Sequence, residues 1–253
     1  MKSAGAYFHI VGLKYHTTLL GPVLLQGEDQ VLEGTHGWRR LAHEIHLFQG
    51  CEYKEREYNP IRPRLYPWSL MPRCFWCTDD PLYQAYHDSE WGTPQREPGA
   101  LFEMLLLEGF QAGLSWITVL KKRERYREVL FGFDPQRLAQ MTDAEIEERM
   151  LDPGIIRNRL KLNAARRNAR AWLALDEPAQ WLWSFVGGVP KINHFSQRNE
   201  VPAVTDEATA MSKALKKAGF TFVGPTICYA FMQATGMVMD HTTDCDRYAA
   251  LRR

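Results

Sequence analysis

Cysteine is scarce: five residues (Cys51, Cys74, Cys77, Cys228, Cys245) in 253 form an odd and uneven set, which excludes the disulfide framework of a small secreted fold. A reducing compartment, the cytoplasm, with a metal role for some of the thiols, is the expected setting. Long apolar runs are missing too. Stretches such as Leu105–Leu107 and Val186–Val189 fall far short of the roughly 20 residues a spanning helix needs, so no membrane helix is expected. Nor is there an excess of charge of one sign. Lys and Arg number 31 against 30 Asp and Glu, net +1, so any nucleic-acid contact must come from a local basic patch. What remains is an ordinary globular composition, 45% hydrophobic and 24% charged, which excludes disordered and fibrous classes.

Residues 1–70 differ from the rest. They hold His9, His16, His36, His43 and His46, many turn formers, and the stretch Tyr58–Arg64, whose two prolines cannot continue a helix or a central strand. They show no sustained period beyond a short helix expected near Trp38–Phe48. The start lacks the apolar core and cleavage site of a signal peptide. Residues 1–70 therefore read as an N-terminal extension of unknown role, with Met71 as an alternative start, and residues 71–253 as the working domain.

From Met71 the signals are helical. Pro98 opens an apolar stripe through Leu101, Phe102, Leu105 and Leu106 to Gly109. Ser115 is a good N-cap for a helix over Trp116–Phe131, and Thr142 with Glu145 forms a capping box for a helix ending at Met150. A Pro153-Gly154 break follows, then a long basic helix over Asn158–Leu175. Later helices are expected over Ala179–Val186, Thr205–Ala218 and Pro225–Met237. No stretch alternates as a strand does, so the domain reads as all-α.

Three constellations could carry chemistry. His241 and Cys245 lie four apart, which on a helix or a single turn puts both on one side, as two ligands of one metal ion require. Cys74 and His87 could complete a tetrahedron, although Cys74-Phe75-Trp76-Cys77 could instead supply both near ligands. The plainer reading is a buried thiol with surface imidazoles. Second, a short helix, a Pro-Gly turn and a helix bearing Arg157, Arg159, Lys161, Arg166, Arg167 and Arg170 resemble a helix-hairpin-helix, which offers backbone N–H groups to a phosphate. An ordinary solvated helix after a turn is the alternative. Third, Tyr83, Tyr86, Trp91 and Trp116 with Glu108 would suit a flipped cationic base, by ring stacking and by charge. Aromatics at helical spacing usually serve as core, but Glu108 follows Leu105–Leu107 directly, where an unpaired carboxylate is costly.

The chain carries Cys74-Phe75-Trp76, Tyr83-Gln84-Ala85-Tyr86-His87-Asp88, Glu90-Trp91-Gly92, Leu107-Glu108-Gly109, Gln111 through Arg123, Phe222-Val223-Gly224 and Asp240-His241, in this order. From about Met71 to Tyr248 it resembles the DNA-3-methyladenine glycosylase I family. The resemblance implies one structural zinc ion on Cys74, His87, His241 and Cys245, clipping the two ends of the domain together, with Cys77 not a ligand. It implies a base pocket of Glu108, Tyr86 and Trp116 with Tyr83 and Trp91 nearby. It also implies that Gly113-Leu114 pushes into the DNA where the base has left, and that the hairpin, Gly154 and Arg157 included, holds the backbone.

The expected activity is that of a monofunctional glycosylase that flips 3-methyladenine out of double-stranded DNA and hydrolyses its glycosidic bond. A monomer without nucleotide cofactor or membrane partner is expected. The family lacks the catalytic aspartate of related glycosylases, so none is assigned. The rival reading is a zinc-stabilised DNA-binding module without catalysis.

Overall fold

A computed structural model describes residues 72–252, and the helix expected over Trp38–Phe48 lies outside them. The domain is all-α apart from one minimal strand pair. Its first helix, α1 (Pro81–Ser89), was not anticipated although its start signal is present: Asp80 accepts a hydrogen bond from the Leu82 N–H and Pro81 occupies the first position. It sets Tyr83, Tyr86 and His87 on one face.

The central element is α2 (Pro98–Gln111), begun by Glu97, whose carboxylate accepts from the Gly99 and Ala100 N–H groups. Every residue from Leu101 to Phe110 except Glu103 is buried, so α2 is apolar nearly all round, as a helix enclosed by others must be. Packed round it are α3 (Trp116–Leu120), the short α8 (Pro178–Ser184), α7 (Arg159–Leu173) and α10 (Pro225–Ala234), with α9 (Asp206–Lys217) against α10. A core of this kind is stabilised by roughly 25 cal/mol for each Å² of apolar surface removed from water.

The single helix expected over Trp116–Phe131 is two. It breaks at Lys122 (φ −106°, ψ 0°) into α3 and α4 (Arg123–Val129), and Phe131–Phe133 then form a turn of 3-10 helix with positive φ. Tertiary partners explain the break: Lys122 reaches the carbonyls of Pro153 and Gly154, while Arg123 pairs with Glu90 and Glu103. Ser115 sits at the N-cap, but its hydroxyl meets Thr118 Oγ1 (2.7 Å) rather than a backbone N–H.

The short α5 (Pro135–Ala139) packs on α7, and the Thr142–Glu145 capping box opens α6 (Asp143–Met150) as expected. Asn158 caps α7 and Thr205 caps α9, so those boundaries agree with the sequence to within two residues. The last expected helix runs short: α10 stops at Ala234, not Met237. Gly236 (φ +67°) turns the chain so tightly against residues 92–94 that a Cβ would lie 2.5 Å from the Pro94 nitrogen. Beyond it, β2 (Val238–Met239) pairs in parallel with β1 (Lys191–Ile192). This corrects the expectation of no strands, and two residues are too few to show alternation. The pair pins the segment leading to Asp240 and His241, and α11 (Asp246–Leu251) follows.

Candidate active site and metal-binding cluster

Cys74, His87, His241 and Cys245 are all buried, and their donor atoms lie within 4.8 Å of one another. His241 Nδ1 stands 3.4 Å from Cys74 Sγ and 3.5 Å from Cys245 Sγ, and His87 Nε2 stands 3.5 Å from Cys245 Sγ. Two donors on a tetrahedral ion, at about 2.3 Å for sulfur and about 2.0 Å for nitrogen, would be roughly 3.5 Å apart, so the cluster fits a metal ion of that geometry. The four-residue spacing works through a turn rather than a helix: Cys245 donates its N–H to Thr242 O and caps α11. Cys77 lies outside the cluster, its thiol directed at Thr78 O.

An outer layer fixes both rings. His87 Nδ1 meets Asp88 (2.8 Å), which Arg73 holds through a two-pronged ion pair. His241 Nε2 meets Trp91 O at 2.9 Å. Each imidazole therefore turns one nitrogen inward and engages the other, as metal-binding histidines do. Gly92 (φ +75°) is needed there because a Cβ would lie 2.9 Å from the His241 ring. Cys74 and both imidazoles stabilise the Cys245 thiolate and hold its pKa far down, while Cys74 is pushed far up by its contact with Cys245 and by burial.

Beside the cluster is a cavity of about 250 Å³. It gathers Tyr83, Tyr86, Trp91, Glu108 and Trp116, all five singled out from the sequence, together with Phe75, Trp76, Gln111, Gln233 and Asp240. Tyr86 and Trp116 have ring centroids 5.4 Å apart at 45°. That is closer than the roughly 7 Å needed to hold a third ring between two planes, so they form one wall rather than the two sides of a sandwich. Glu108 is only 3% exposed, and among the described residues its Oε2 has no partner. Burial pushes its carboxyl pKa up to about 8. Two indole N–H groups nearby, of Trp76 and Trp116, are also unpartnered. Burial and the nearby Glu108 push the Tyr86 phenol well above its usual value, so it stays protonated.

Trp76 and Asp240 were missed as lining residues. Trp76 stands in the Cys74-Phe75-Trp76 motif, read only for its cysteine, and packs between Tyr83 (5.0 Å), Trp91 (4.8 Å) and His87 (5.2 Å). Asp240 accepts from Tyr229 (2.5 Å), Gln233 (2.8 Å) and Asn193 (2.7 Å), a set that only the fold brings together.

The residues expected to touch DNA divide. Gln111–Leu114 is a turn closed by the Leu114 N–H on Gln111 O (2.6 Å), with Gly113 at φ +79° and Leu114 41% exposed. A helix, a turn and a helix stand where the hairpin is expected, as α6, residues 151–158 and α7, and the Gly154 N–H donates to Asp152 Oδ1 (2.7 Å). The basic stripe is corrected. Arg159 pairs with Glu147, Arg166 with Asp143 and Met141 O, Arg170 bonds Ala139 O, and Lys161 is buried. Among the described residues only Arg157 and Arg167 of the six have no protein partner and stay exposed.

A half-open cavity walled by aromatic rings, with a buried carboxyl whose Oε2 has no partner among the described residues, has the form and charge to suit a flat, cationic ring, here set in a helical domain beside a Cys₂His₂ cluster. The profile of the methyladenine glycosylase family matches residues 76–248, and the chain belongs to that family. DNA-3-methyladenine glycosylase 1 of Escherichia coli (strain K12) is 50% identical over 182 residues, 70% of this chain and 97% of that protein. A crystal structure of 3-methyladenine DNA glycosylase I superposes with a TM-score of 0.69 at 52% identity, over 69% of this chain and 98% of the other. The Staphylococcus aureus enzyme, solved to show the structural basis of its recognition of 3-methyladenine, superposes at 0.68 with 40% identity, over 70% and 96%.

Proposed function

We propose that this chain excises 3-methyladenine from double-stranded DNA as a monofunctional, monomeric glycosylase of the cytoplasm. The observation that carries the reading is Glu108: a buried carboxyl, its Oε2 without a partner among the described residues, in a cavity lined by aromatic rings. Burying an unpaired carboxyl costs folding free energy, and a cationic base relieves that cost.

Methylation at N3 makes adenine cationic and weakens its bond to the sugar, so no protein acid is needed to protonate the leaving group. The chain's part is to draw the nucleotide from the stack, bind the charged ring and leave the sugar carbon open to water. Tyr86 and Trp116 offer one wall of π-faces, Trp76, Tyr83 and Trp91 another, and cation–π attraction adds to stacking. Glu108 accepts hydrogen bonds from the base and balances its charge. Burial holds the Glu108 pKa at about 8, and a cation bound beside it favours loss of its proton. Leu114 fills the gap in the duplex, and Arg157 at the hairpin meets the backbone.

Cys74, His87, His241 and Cys245 would hold zinc as a structural ion, which with four protein ligands has no open position for substrate or water and supplies a cross-link. Incubating methylated duplex DNA with the full chain, followed by chromatography of the freed bases, tests the reading. Release of 3-methyladenine by the parent and its loss in Glu108→Gln is the expected result. Duplex binding without release would instead favour a non-catalytic DNA-binding module.

A further inference from the structure

Lys161 departs from the rest of its helix. It is 5% exposed, and its Nζ donates to Phe110 O (2.6 Å) and Ala112 O (2.8 Å), carbonyls at the end of α2 and in the turn that follows. Burying an ammonium is costly unless its protons are taken up by acceptors, and burial does lower its pKa. The two bonds satisfy that need and complete the C-terminus of α2, whose last carbonyls lack helical partners.

They also fix a peptide plane. With Ala112 at φ −45°, ψ 115° and Gly113 at φ +79°, residues 111–114 form a type II turn. The plane between Ala112 and Gly113 is the one that rotates when such a turn converts to type I. That rotation would swing Ala112 O away from the ammonium. Lys161 therefore holds the turn in the form that presents Leu114. Its own place is the first turn of α7, with its N–H on the Asn158 cap (3.1 Å), four residues after Arg157.

We propose that Lys161 is a positioning residue that joins the hairpin to the Gly113-Leu114 turn, so that a duplex held at the hairpin meets Leu114 at a set distance and the damaged nucleotide is driven out of the stack. This rests on the glycosylase reading.

The test uses the full chain with Lys161→Met. Base release is measured from methylated duplex and from methylated single-stranded DNA, eversion by fluorescence of 2-aminopurine placed beside the lesion, and pocket integrity by tryptophan quenching with free 3-methyladenine. Losing bonds to two buried carbonyls should lower duplex release and the eversion signal about ten-fold to a hundred-fold. Single-strand release and free-base affinity should stay near parent values. In a Leu114→Ala background the same change should add little, because both act on one step. Should Lys161→Met fail to fold, Lys161→Arg, which keeps the charge but cannot seat both bonds, carries the same comparison. Equal losses on duplex and single strand, full additivity with Leu114→Ala, or unchanged duplex release would each overturn the proposal. A parent that releases no base would refute the glycosylase reading instead, and the eversion signal would still decide the role of Lys161.

Discussion

The Cys₂His₂ cluster and the Glu108 cavity share a wall, since Trp76 and Trp91 touch both, yet they treat buried polar atoms in opposite ways. Around the cluster every imidazole nitrogen is engaged, and Asp88 and Arg73 support the arrangement from behind. In the cavity Glu108 Oε2 and two indole N–H groups have no partners among the described residues. A finished polar network rigidifies a fold, whereas an unfinished one holds free energy in reserve for a ligand. Asp240 sharpens the contrast: it lines the same cavity but has three donors, and so belongs with the structural groups.

If the contrast is right, disturbing the cluster should have the largest effect and should act on stability. Cys74→Ser, or strong chelation, should remove one tightly held zinc and lower the melting temperature, because metal binding to such a set contributes directly to folding free energy. Metal analysis with calorimetry checks this. Cys77→Ser losing zinc while Cys74→Ser keeps it would overturn the ligand set.

Glu108→Gln should do the reverse. Loss of a charge-assisted hydrogen bond in a dry pocket costs roughly 1.5–3 kcal/mol, about ten-fold to a hundred-fold in base release. The fold should gain stability, with a dependence on pH whose sign is set. The native carboxyl pKa, about 8, is above the ordinary 4.5, so its contribution is fully present below pH 4.5 and is lost as pH rises through 8. The melting temperature of Glu108→Gln should therefore exceed the parent's increasingly from pH 4.5 to 8, and the gap should level off above. A constant gap would mean that Glu108 has a partner after all.

A smaller effect separates the arginines. Arg157→Ala should reduce the salt slope of duplex binding by about 1 with little change in melting temperature. Arg170→Ala, which gives up its bond to Ala139 O, should do the opposite. The smallest effect should come from removing residues 1–70: starting the chain at Met71 should leave melting temperature and base release as they are. A marked drop in either would make that segment a working part.

How much of this could be read from the sequence depended on how local each cause was. The Thr142–Glu145 box, the helix starts near Asn158 and Thr205 and the proline starts at Pro98 and Pro225 are settled within four residues, and all are observed. The cluster and the five pocket residues were legible because unusual residue types stand in ordered motifs. What escaped depends on partners far along the chain. Lys161 looked like surface charge because Phe110 and Ala112 are about 50 positions away. The basic stripe dissolved because Glu147, Asp143 and two carbonyls had claims on its arginines. The break at Lys122 likewise needs the hairpin carbonyls to be in place.

The separation of Cys74 and His241, 167 positions, also governs the order of assembly. Closing a loop of that length in an unfolded chain costs roughly 5 kcal/mol of entropy. Zinc held by four such ligands would return about 10–16 kcal/mol, more than that cost. The contact is nonetheless one of the most non-local among the described residues, and contacts of that order form after the helical hairpins between them. Metal capture should thus be a late, rate-dependent event in refolding, and apo protein released from denaturant should collect as a helical species that matures at a pace set by zinc concentration.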